Sequence, residues 1–339
     1  MKSKSFWIRL FLSVGLIAFL FYSTDIQDIF ITLNQSEPVY LLIAVIIAIG
    51  DRILMAYKWN LLLAEKGIKI SLGKVTSTYL ITTFLGLFLP ATVGGDALRV
   101  YAVSKSGYKT SDVVSSIVVE RALGFIALFA FVLISIVLSI FVFGQNFFNG
   151  IWNLFWVFIV LLIIFSIAIY LSFNETILRR LLSISLVQKI RQHKLFDKLG
   201  EFYQSYRTYQ GNIRLLVIFV FLSLLENLFP LFWTYYLSLA FNIEIPLLYF
   251  FILIPIVLTL VRLPISFDGI GIQEGAYVYF LSLISIPKPE ALLLGIASHI
   301  LAILSVLPGG VLYSFSGLRF QNKTSMAQIQ KEITPSVNE

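Results

Sequence analysis

Two stretches interrupt long apolar runs with residues that a membrane-spanning helix normally excludes. The first stretch contains Pro90, Gly94, Gly95, Asp96 and Arg99. Proline removes a backbone donor and glycine loosens the turn, so backbone freed at membrane depth must be buried in protein or line a wet cavity. The amides that open the next helix can bind an anion, and Arg99 could hold a phosphate through two parallel hydrogen bonds. The pattern predicts recognition of an anionic headgroup; a plain hairpin turn with Asp96 as a helix cap is the alternative.

The second stretch also begins with Leu-Pro and returns to apolar sequence after glycines and acidic residues. Its candidate binding residues are Arg262, Asp268, Gly269, Gly271, Gln273 and Glu274, and Pro264 is a candidate hinge that corresponds to Pro90. Negative charge is favoured at the start of a helix, where the backbone dipole is positive, so we expect Glu274 in the first turn of the returning helix.

An adjacent pair of charges, Glu120 and Arg121, lies inside a third apolar run. Neighbouring residues point to different sides of a helix, so these two cannot pair with each other, and unpaired buried charges are costly. We expect Arg121 to pair with Asp96 or Asp268. For Glu120 the expected partner is Arg99, and a purely structural ion pair is the alternative to a binding role.

Further charges occur within the other apolar runs. Glu226 is expected either to pair with an arginine of the two interrupted stretches or to be a protonatable group for coupling. The simplest interpretation of Asp51 and Arg52 is a charge pair that sets topology. Lys58 and Trp59 are expected to mark the cytoplasmic end of their span.

Composition decides the class of protein. Apolar residues make up 58% of the chain, charged residues 13%, and the mean hydropathy is +0.91. A soluble domain carries about twice that charged fraction. The sequence therefore predicts an all-α, polytopic integral membrane protein.

The scarcity of metal-binding side chains excludes several kinds of chemistry. With no cysteine there is no thiol catalysis or cysteine metal site, and the two histidines, His193 and His299, are far apart. We therefore expect no metal site and no cofactor, and we expect His299 to be a packing residue. The net charge of +7 indicates contact with anionic lipid headgroups at the cytoplasmic face, not with nucleic acid.

The topology follows from apolar length and from the distribution of lysine and arginine. We predict about six spanning helices, at 6–22, 38–63, 113–143, 151–173, 215–241 and 290–318, and two opposed re-entrant hairpins, at about 75–100 and 247–286. Both termini are expected in the cytoplasm, together with a basic loop at 174–214 and a polar tail at 321–339 that follows a single domain, 1–320. The loop has the pattern of an interfacial amphipathic helix, with a packed connector as the alternative.

One hairpin is expected to enter from each face of the membrane, with its break near the midplane. Inverted repeats with broken helices around a central site are typical of secondary transporters. On this hypothesis the two turns meet, so that Asp96 and Arg99 come close to Asp268, Gly271 and Glu274.

Four sequence elements carry a resemblance to a known family. They are Arg52…Lys58-Trp59, Leu89-Pro90…Gly94-Gly95-Asp96-Ala97…Arg99, Ser115…Val119-Glu120-Arg121 and Leu263-Pro264-Ile265-Ser266…Gly269-Ile270-Gly271…Gln273-Glu274-Gly275. With these elements, over about residues 5–318, the chain resembles the lysylphosphatidylglycerol synthase transmembrane-region family, also called the flippase-like domain family. That family often has an arginine where this chain has Gln273, a difference that removes one positive charge.

The resemblance implies movement of a phospholipid or polyprenyl-linked lipid between leaflets of the cell membrane. In the multiple peptide resistance factor, a similar membrane domain accompanies a separate soluble domain that transfers the aminoacyl group. The 339 residues hold no such domain, so we expect no enzyme activity.

Two other functions compete with translocation. They are a membrane-embedded transferase with a lysyl-phosphatidylglycerol synthase-like activity, and an accessory subunit of envelope lipid synthesis. There is no nucleotide-binding loop of the glycine-lysine-serine type, so transport would be passive or ion-coupled. The oligomeric state stays open, a homo-oligomer included.

Overall fold

A computed structural model of the chain describes residues 4–22, 26–89, 94–173, 194–262, 266 and 269–315. These residues form twelve α-helices and a short 3-10 turn at Thr208–Gly211. The helices are α1 (Lys4–Tyr22), α2 (Ile26–Asn34), α3 (Pro38–Glu65), α4 (Leu72–Gly86), α5 (Gly94–Ser104), α6 (Thr110–Ser172), α7 (Lys194–Arg207), α8 (Ile213–Ala240), α9 (Leu247–Arg262), α10 (Ile272–Ser282), α11 (Lys288–Leu304) and α12 (Leu307–Phe315).

Five segments are long and apolar enough to cross a membrane. They are Pro38–Glu65, Thr110–Ser139, Phe155–Ser172, Ile213–Ala240 and Lys288–Phe315. A sixth arises if Val14–Tyr22 and Gln27–Asn34, which meet at a bend of 90°, count as one span. The prediction of an all-α, polytopic membrane protein is confirmed.

Helix α6 folds back on itself and supplies two of these segments. The rings of Phe125 and Phe165 lie 5.4 Å apart, and those of Phe129 and Phe158 lie 6.0 Å apart. A straight helix would separate Phe125 from Phe165 by about 60 Å, at roughly 1.5 Å per residue. The two halves are therefore antiparallel, as two successive spans must be.

The first interrupted stretch is a helical hairpin made of α4 and α5. A Cβ atom on Gly95 would lie 3.2 Å from the carbonyl oxygen of Thr82, and one on Gly86 would lie 3.1 Å from the Cα of Gly95. Glycine at both positions lets the two helices approach backbone to backbone. Pro90, the predicted hinge, lies outside the described residues.

The second interrupted stretch is also a helical hairpin, made of α9 and α10. The hydroxyl of Tyr249, near the start of α9, donates to the carbonyl oxygen of Phe280, near the end of α10, so the two helices run antiparallel. Gly269 and Gly271 have φ values of 79° and 83°, in the left-handed region that favours glycine. Pro264 and Asp268 lie outside the described residues, so their predicted roles stay predictions.

The connection between α6 and α8 packs against the bundle where it is described. Tyr206 stacks on Phe173 with 4.7 Å between ring centroids, and the hydroxyl of the fully buried Tyr209 donates to the carbonyl oxygen of Leu62 at 2.9 Å. Burial raises the pKa of Tyr209 well above its ordinary value. The first part of the predicted basic loop, 174–193, and the predicted tail, 321–339, lie outside the described ranges.

Lys66 fastens this connection to the end of α3. Its Nζ donates to the carbonyl oxygen of Ser205 and to the hydroxyl of Thr208, and it lies 4.2 Å from the centre of the Tyr209 ring. Burial disfavours the charged amine and lowers the pKa of Lys66 to about 8, although the nearby Asp112 carboxylate opposes this effect.

Candidate functional site

Four charges meet where α5 packs against α6. Arg99 donates to Asp96, one turn earlier in α5, and to Oε2 of Glu120 at 2.8 Å. Arg121 donates from Nε to the other oxygen of Asp96 at 2.5 Å. The predicted pairs of Glu120 with Arg99 and of Arg121 with Asp96 are confirmed. Glu120 and Arg121 do not pair with each other, and each contacts a different residue of α5.

Aromatic rings enclose the Arg99 guanidinium. Its central carbon lies 5.1 Å from the centre of the Trp59 ring and 4.8 Å from that of Tyr79. Arg99 is 5% exposed and Trp59 is fully buried. That Trp59 marks the cytoplasmic end of its span stays a prediction. Trp59 faces inward from α3, because cation–π contact and burial favour a ring next to an enclosed guanidinium. The predicted phosphate clamp by Arg99 stays a prediction, and it requires the phosphate to compete with two carboxylates.

The glycines that open α5 are explained first by close packing. A Cβ atom on Gly94 would lie 2.5 Å from the side chain of Leu89, and Gly95 contacts the backbone of α4. Their predicted contact with a headgroup is therefore not needed to explain why they are glycines.

A cavity of about 220 Å³ lies between α3, α8, α9, α10 and α11. Three of the predicted site residues line it, namely Glu226, Arg262 and Gln273. Its remaining polar lining consists of Asp51, Arg52, Asn227, Thr234, Tyr277 and Ser298. Charged side chains of both signs, two acidic and two basic, therefore line the same cavity.

Glu226 pairs with Lys58 of α3, not with an arginine of the interrupted stretches as one alternative proposed. The Nζ of Lys58 donates to Oε2 of Glu226 and to the hydroxyl of Ser223 at 2.8 Å. Lys58 is 4% exposed, and its predicted position at the cytoplasmic end of its span stays a prediction. The physical reason is that α3 packs closely on α8, so that Lys58 of α3 lies opposite Glu226 of α8.

Asp51 and Arg52 also face the interior, so their interpretation as topology-setting charges is wrong. Asp51 is 4% exposed, and its carboxylate lies 3.7 Å from Nη1 of Arg52. The Nε of Arg52 donates to the hydroxyl of Ser305 at 2.8 Å. Asp51 and Arg52 lie in the middle of the 28-residue α3, where a charge is far from either helix end and requires a partner inside the bundle.

Arg262 ends α9 and is exposed to the cavity. Its Nη1 lies 3.5 Å from the carbonyl oxygen of Gly124 in α6, and its guanidinium lies 5.4 Å from the centre of the Phe125 ring. Among the described residues, no carboxylate comes within 4 Å of Arg262. Gly124 is one turn beyond Glu120 and Arg121, so Arg262 links the cavity to the four-charge cluster.

Both carboxylate oxygens of Glu274 have partners within the protein, one in the turn of the second hairpin and one in α11. One carboxylate oxygen accepts from the backbone N–H of Gly271 at 2.6 Å, and the other lies 2.9 Å from Nδ1 of His299. The expected position of Glu274 in the first turn of α10 is confirmed. His299 is buried, as a packing residue should be, and Glu274 satisfies its ring. Gln273 donates to the carbonyl oxygen of Gly295 at 3.3 Å.

Three hydroxyls of the cavity wall were not predicted from the sequence. The Oγ1 of Thr234 lies 2.8 Å from the hydroxyl of Ser298 and 3.2 Å from that of Tyr277. The available signal was helical spacing: Thr234 follows Glu226 by two turns and Pro230 by one turn on the same face of α8. Glu226 and Thr234 therefore mark one polar face of an otherwise apolar helix.

Together the described residues of the cluster and the cavity form one charged region, in which Arg121 and Arg262 are exposed. Its cations are Arg52, Lys58, Arg99, Arg121 and Arg262, and its carboxylates are Asp51, Asp96, Glu120 and Glu226. The cations outnumber the carboxylates by one, and the cation without an ion-pair partner among them is Arg262.

Fold and site define a polytopic α-helical membrane protein with a group of charged residues near two interrupted helices. The chain belongs to the family described as the lysylphosphatidylglycerol synthase TM region, whose model matches residues 6–310. Membership of this family indicates a role related to membrane lipids. No curated protein matches the chain.

Proposed function

We propose that this protein is a lipid translocator that moves a phospholipid or a polyprenyl-linked lipid between the leaflets of the cell membrane. The headgroup is held in the cavity between α3, α8, α9, α10 and α11 while its acyl chains stay in lipid. The observation that carries the proposal is Arg262, a cation that faces the cavity and has no carboxylate partner among the described residues. A guanidinium that faces the cavity without a carboxylate partner has donors to offer, and a lipid phosphate is an anion that accepts from such a fork through two parallel hydrogen bonds.

Translocation requires a polar path through an apolar bundle. Arg262 lies between the cavity and the cluster at Asp96, Arg99, Glu120 and Arg121, so a headgroup that leaves the cavity meets further charge instead of hydrocarbon. The cost of placing a phosphate at membrane depth is thereby lowered along the path.

Alternating access is assigned to the two hairpins. They enter the membrane from opposite faces, Pro90 and Pro264 act as hinges, and the rocking of one hairpin against the other exposes the site to each leaflet in turn. Both termini are cytoplasmic in this scheme, where basic loops contact anionic headgroups.

Reconstitution in liposomes tests the proposal. A lipid labelled on one acyl chain is placed in both leaflets, and a membrane-impermeant quencher reports its exchange. We expect wild-type protein and Arg214→Gln, which alters an exposed arginine at the start of α8, to accelerate exchange over protein-free liposomes. Arg262→Gln should be at least about tenfold slower, because a charge-assisted contact to the phosphate is lost.

Two results count against the proposal. Wild-type exchange no faster than that of protein-free liposomes contradicts translocation. A change in the mass of the recovered lipid, measured in the same vesicles after addition of an aminoacyl donor, assigns the protein to the competing transferase class.

A further inference from the structure

We infer that Glu274 and His299 form a proton-binding site, and that a proton bound there crosses the membrane together with the transported lipid. The site lies where α10 packs on α11, behind the wall of the cavity. This inference rests on the proposed translocation, and it names the ion that drives transport and the residues that bind this ion.

The partner of Glu274 distinguishes it from the carboxylates of the charged region. Nδ1 of His299 lies 2.9 Å from Oε1 of Glu274, and both residues are buried. A lysine or an arginine accompanies each of the other four carboxylates, namely Asp51, Asp96, Glu120 and Glu226. Lysine and arginine stay charged at neutral pH, whereas an imidazole gains or loses its proton close to neutrality. Among the described ion pairs, the pair of Glu274 and His299 is therefore the one whose charge changes near neutral pH.

Proton uptake removes the net negative charge of this pair. When the imidazole is neutral, its Nδ1–H donates to the carboxylate, and the pair carries the charge of Glu274. A proton added at Nε2 gives an imidazolium beside a carboxylate, which has no net charge. The carboxylate keeps its hydrogen bond to His299 in both states.

The pair is close to the cavity through its sequence neighbours. Gln273 and Ser298, which adjoin Glu274 and His299, both line the cavity. The hydroxyl of Ser298 lies 2.8 Å from that of Thr234 and 3.2 Å from that of Tyr277. These hydroxyls can both donate and accept, so they offer a proton a path between the cavity and α11.

The pair also holds the turn of the second hairpin. Oε2 of Glu274 accepts from the backbone N–H of Gly271, whose φ of 83° lies in the left-handed region. A Cβ atom on Gly295 of α11 would lie 3.2 Å from the Cα of Glu274, so α10 and α11 approach closely at this point. A change of charge on the pair therefore acts on the turn that begins α10.

The groups around the pair keep their charge while His299 gains or loses its proton. Asp51 lies beside Arg52, and Glu226 is bound to Lys58. The helices packed against α10 and α11 contribute Asp51 and Arg52 from α3, Glu226 from α8 and Arg262 from α9, and α10 itself contributes the neutral hydroxyl of Tyr277. Leu16 of α1 contacts Gly271, and Asp28 of α2 is exposed.

The sign of the coupling follows from the loss of negative charge. The unprotonated pair repels an anion in the cavity, and the protonated pair does not. A proton on the pair and a phosphate in the cavity therefore raise each other's affinity, because coupling between two binding sites is reciprocal. The two are bound together and move in the same direction.

Proteoliposomes with a pH gradient test the coupling. Acyl-labelled phosphatidylglycerol is present as a trace, and a membrane-impermeant quencher measures its distribution between the leaflets. One proton per lipid gives about tenfold accumulation for a gradient of about one pH unit, and we expect at least about threefold, in the leaflet that faces the alkaline side. The wild type and His193→Gln, which removes the other histidine, should both show it. His299→Gln, protein-free liposomes and a protonophore should abolish it.

The outcomes separate the coupling from translocation. Exchange by the wild type without accumulation, or with accumulation on the acidic side, overturns the inference and leaves translocation standing. No exchange of lipid overturns the proposed translocation and the coupling with it.

Proton binding is measured without transport by NMR in detergent. In His193→Gln protein that carries no histidine tag, His299 is the single histidine, and we expect its imidazole signals to titrate between about pH 5 and about pH 9. Adding Glu274→Gln should lower the protonated fraction at the original midpoint at least about threefold, because a carboxylate that favours the imidazolium is lost. Glu290→Gln, the same substitution in the first turn of α11, is the matched control and should leave the titration unchanged.

Two NMR results contradict the site. They are an imidazole that stays in one form over the whole range, and a titration that Glu274→Gln does not alter. If His299→Gln elutes as an aggregate in detergent, the accumulation by the wild type and this titration decide.

Discussion

Replacing Arg99 by methionine removes the cation that holds the four-charge cluster together. Arg99 bridges Asp96 in its own helix and Glu120 in α6, and both carboxylates are largely buried. In the Arg99→Met protein, Asp96 keeps its contact with Arg121, but Glu120 loses the arginine that faces it. The substitution therefore leaves a buried charge that is no longer neutralised by Arg99.

The expected loss of stability is large for a single substitution. Breaking a buried ion pair by removing one partner costs about 3–5 kcal/mol. The lost contacts of the guanidinium with Trp59 and Tyr79 add about 0.5–2 kcal/mol. Glu120→Gln should cost less, about 1.5–3 kcal/mol, because Arg99 retains Asp96. The double variant Arg99→Met/Glu120→Gln carries no uncompensated charge at Glu120, so it should be more stable than Arg99→Met by at least about 1 kcal/mol.

Unfolding in mixed micelles, with an increasing fraction of denaturing detergent, gives the free energy of unfolding for the wild type and the three variants. Arg214→Gln serves as the control, because it removes an exposed arginine and should stay within about 0.5 kcal/mol of the wild type. The reasoning is refuted if Arg99→Met lies within about 1 kcal/mol of the wild type, or if the second substitution adds to its loss instead of reducing it.

Three further predictions concern other parts of the bundle. Gly309→Ala should destabilise the protein by about 1–3 kcal/mol in the same assay, since its Cβ would lie 2.2 Å from a backbone carbonyl oxygen of α4. Gly275→Ala is the matched control, because a Cβ there meets open space, and equal losses of stability in the two variants would contradict the packing argument. The lowered pKa of Lys66 means that the unfolded chain binds more protons between about pH 8 and about pH 10.5, so the free energy of unfolding should rise with pH across that window and rise less in Lys66→Met. Lys58→Met should slow lipid exchange more than Glu226→Gln does, because it leaves a carboxylate unpaired in the cavity wall, and a reversed order would contradict the pairing.

Much of the site followed from one property of the sequence, namely charge inside apolar runs. The pairs of Glu120 with Arg99 and of Arg121 with Asp96 could be predicted because buried charges require partners and the choice of opposite charges was small. The two helical hairpins were equally accessible, since proline and glycine interrupt helices wherever they occur together.

The errors have a common physical cause. Asp51 and Arg52 were expected to set topology, because charge is usual at a membrane interface. Whether a residue of α3 faces lipid or the bundle depends on which helix packs against it, and a single sequence does not fix that neighbour. For this reason the partner of Glu226 could not be chosen from the sequence. It is Lys58 of α3 and not Arg262 of the second interrupted stretch.

The cavity itself was not accessible to sequence analysis either. Its lining comes from α3 and from the four successive helices α8 to α11, and the hydroxyls of Thr234, Tyr277 and Ser298 occur singly among mostly apolar residues. Serine, threonine and tyrosine are common in membrane helices for reasons of packing alone. Only their convergence in space distinguishes them.

The central claim, that lipid headgroups pass through this cavity, is tested most directly by blocking the cavity. The chain has no cysteine, so a single cysteine can be introduced at Leu258, which lines the cavity, or at Val217, an exposed position of α8. Each protein is reacted to completion with a bulky thiol reagent before reconstitution, and the extent of reaction is verified by mass. The account predicts that modification at Leu258 stops the exchange of acyl-labelled lipid, while modification at Val217 leaves it unchanged. Unaltered exchange by the fully modified Leu258→Cys protein would contradict the account.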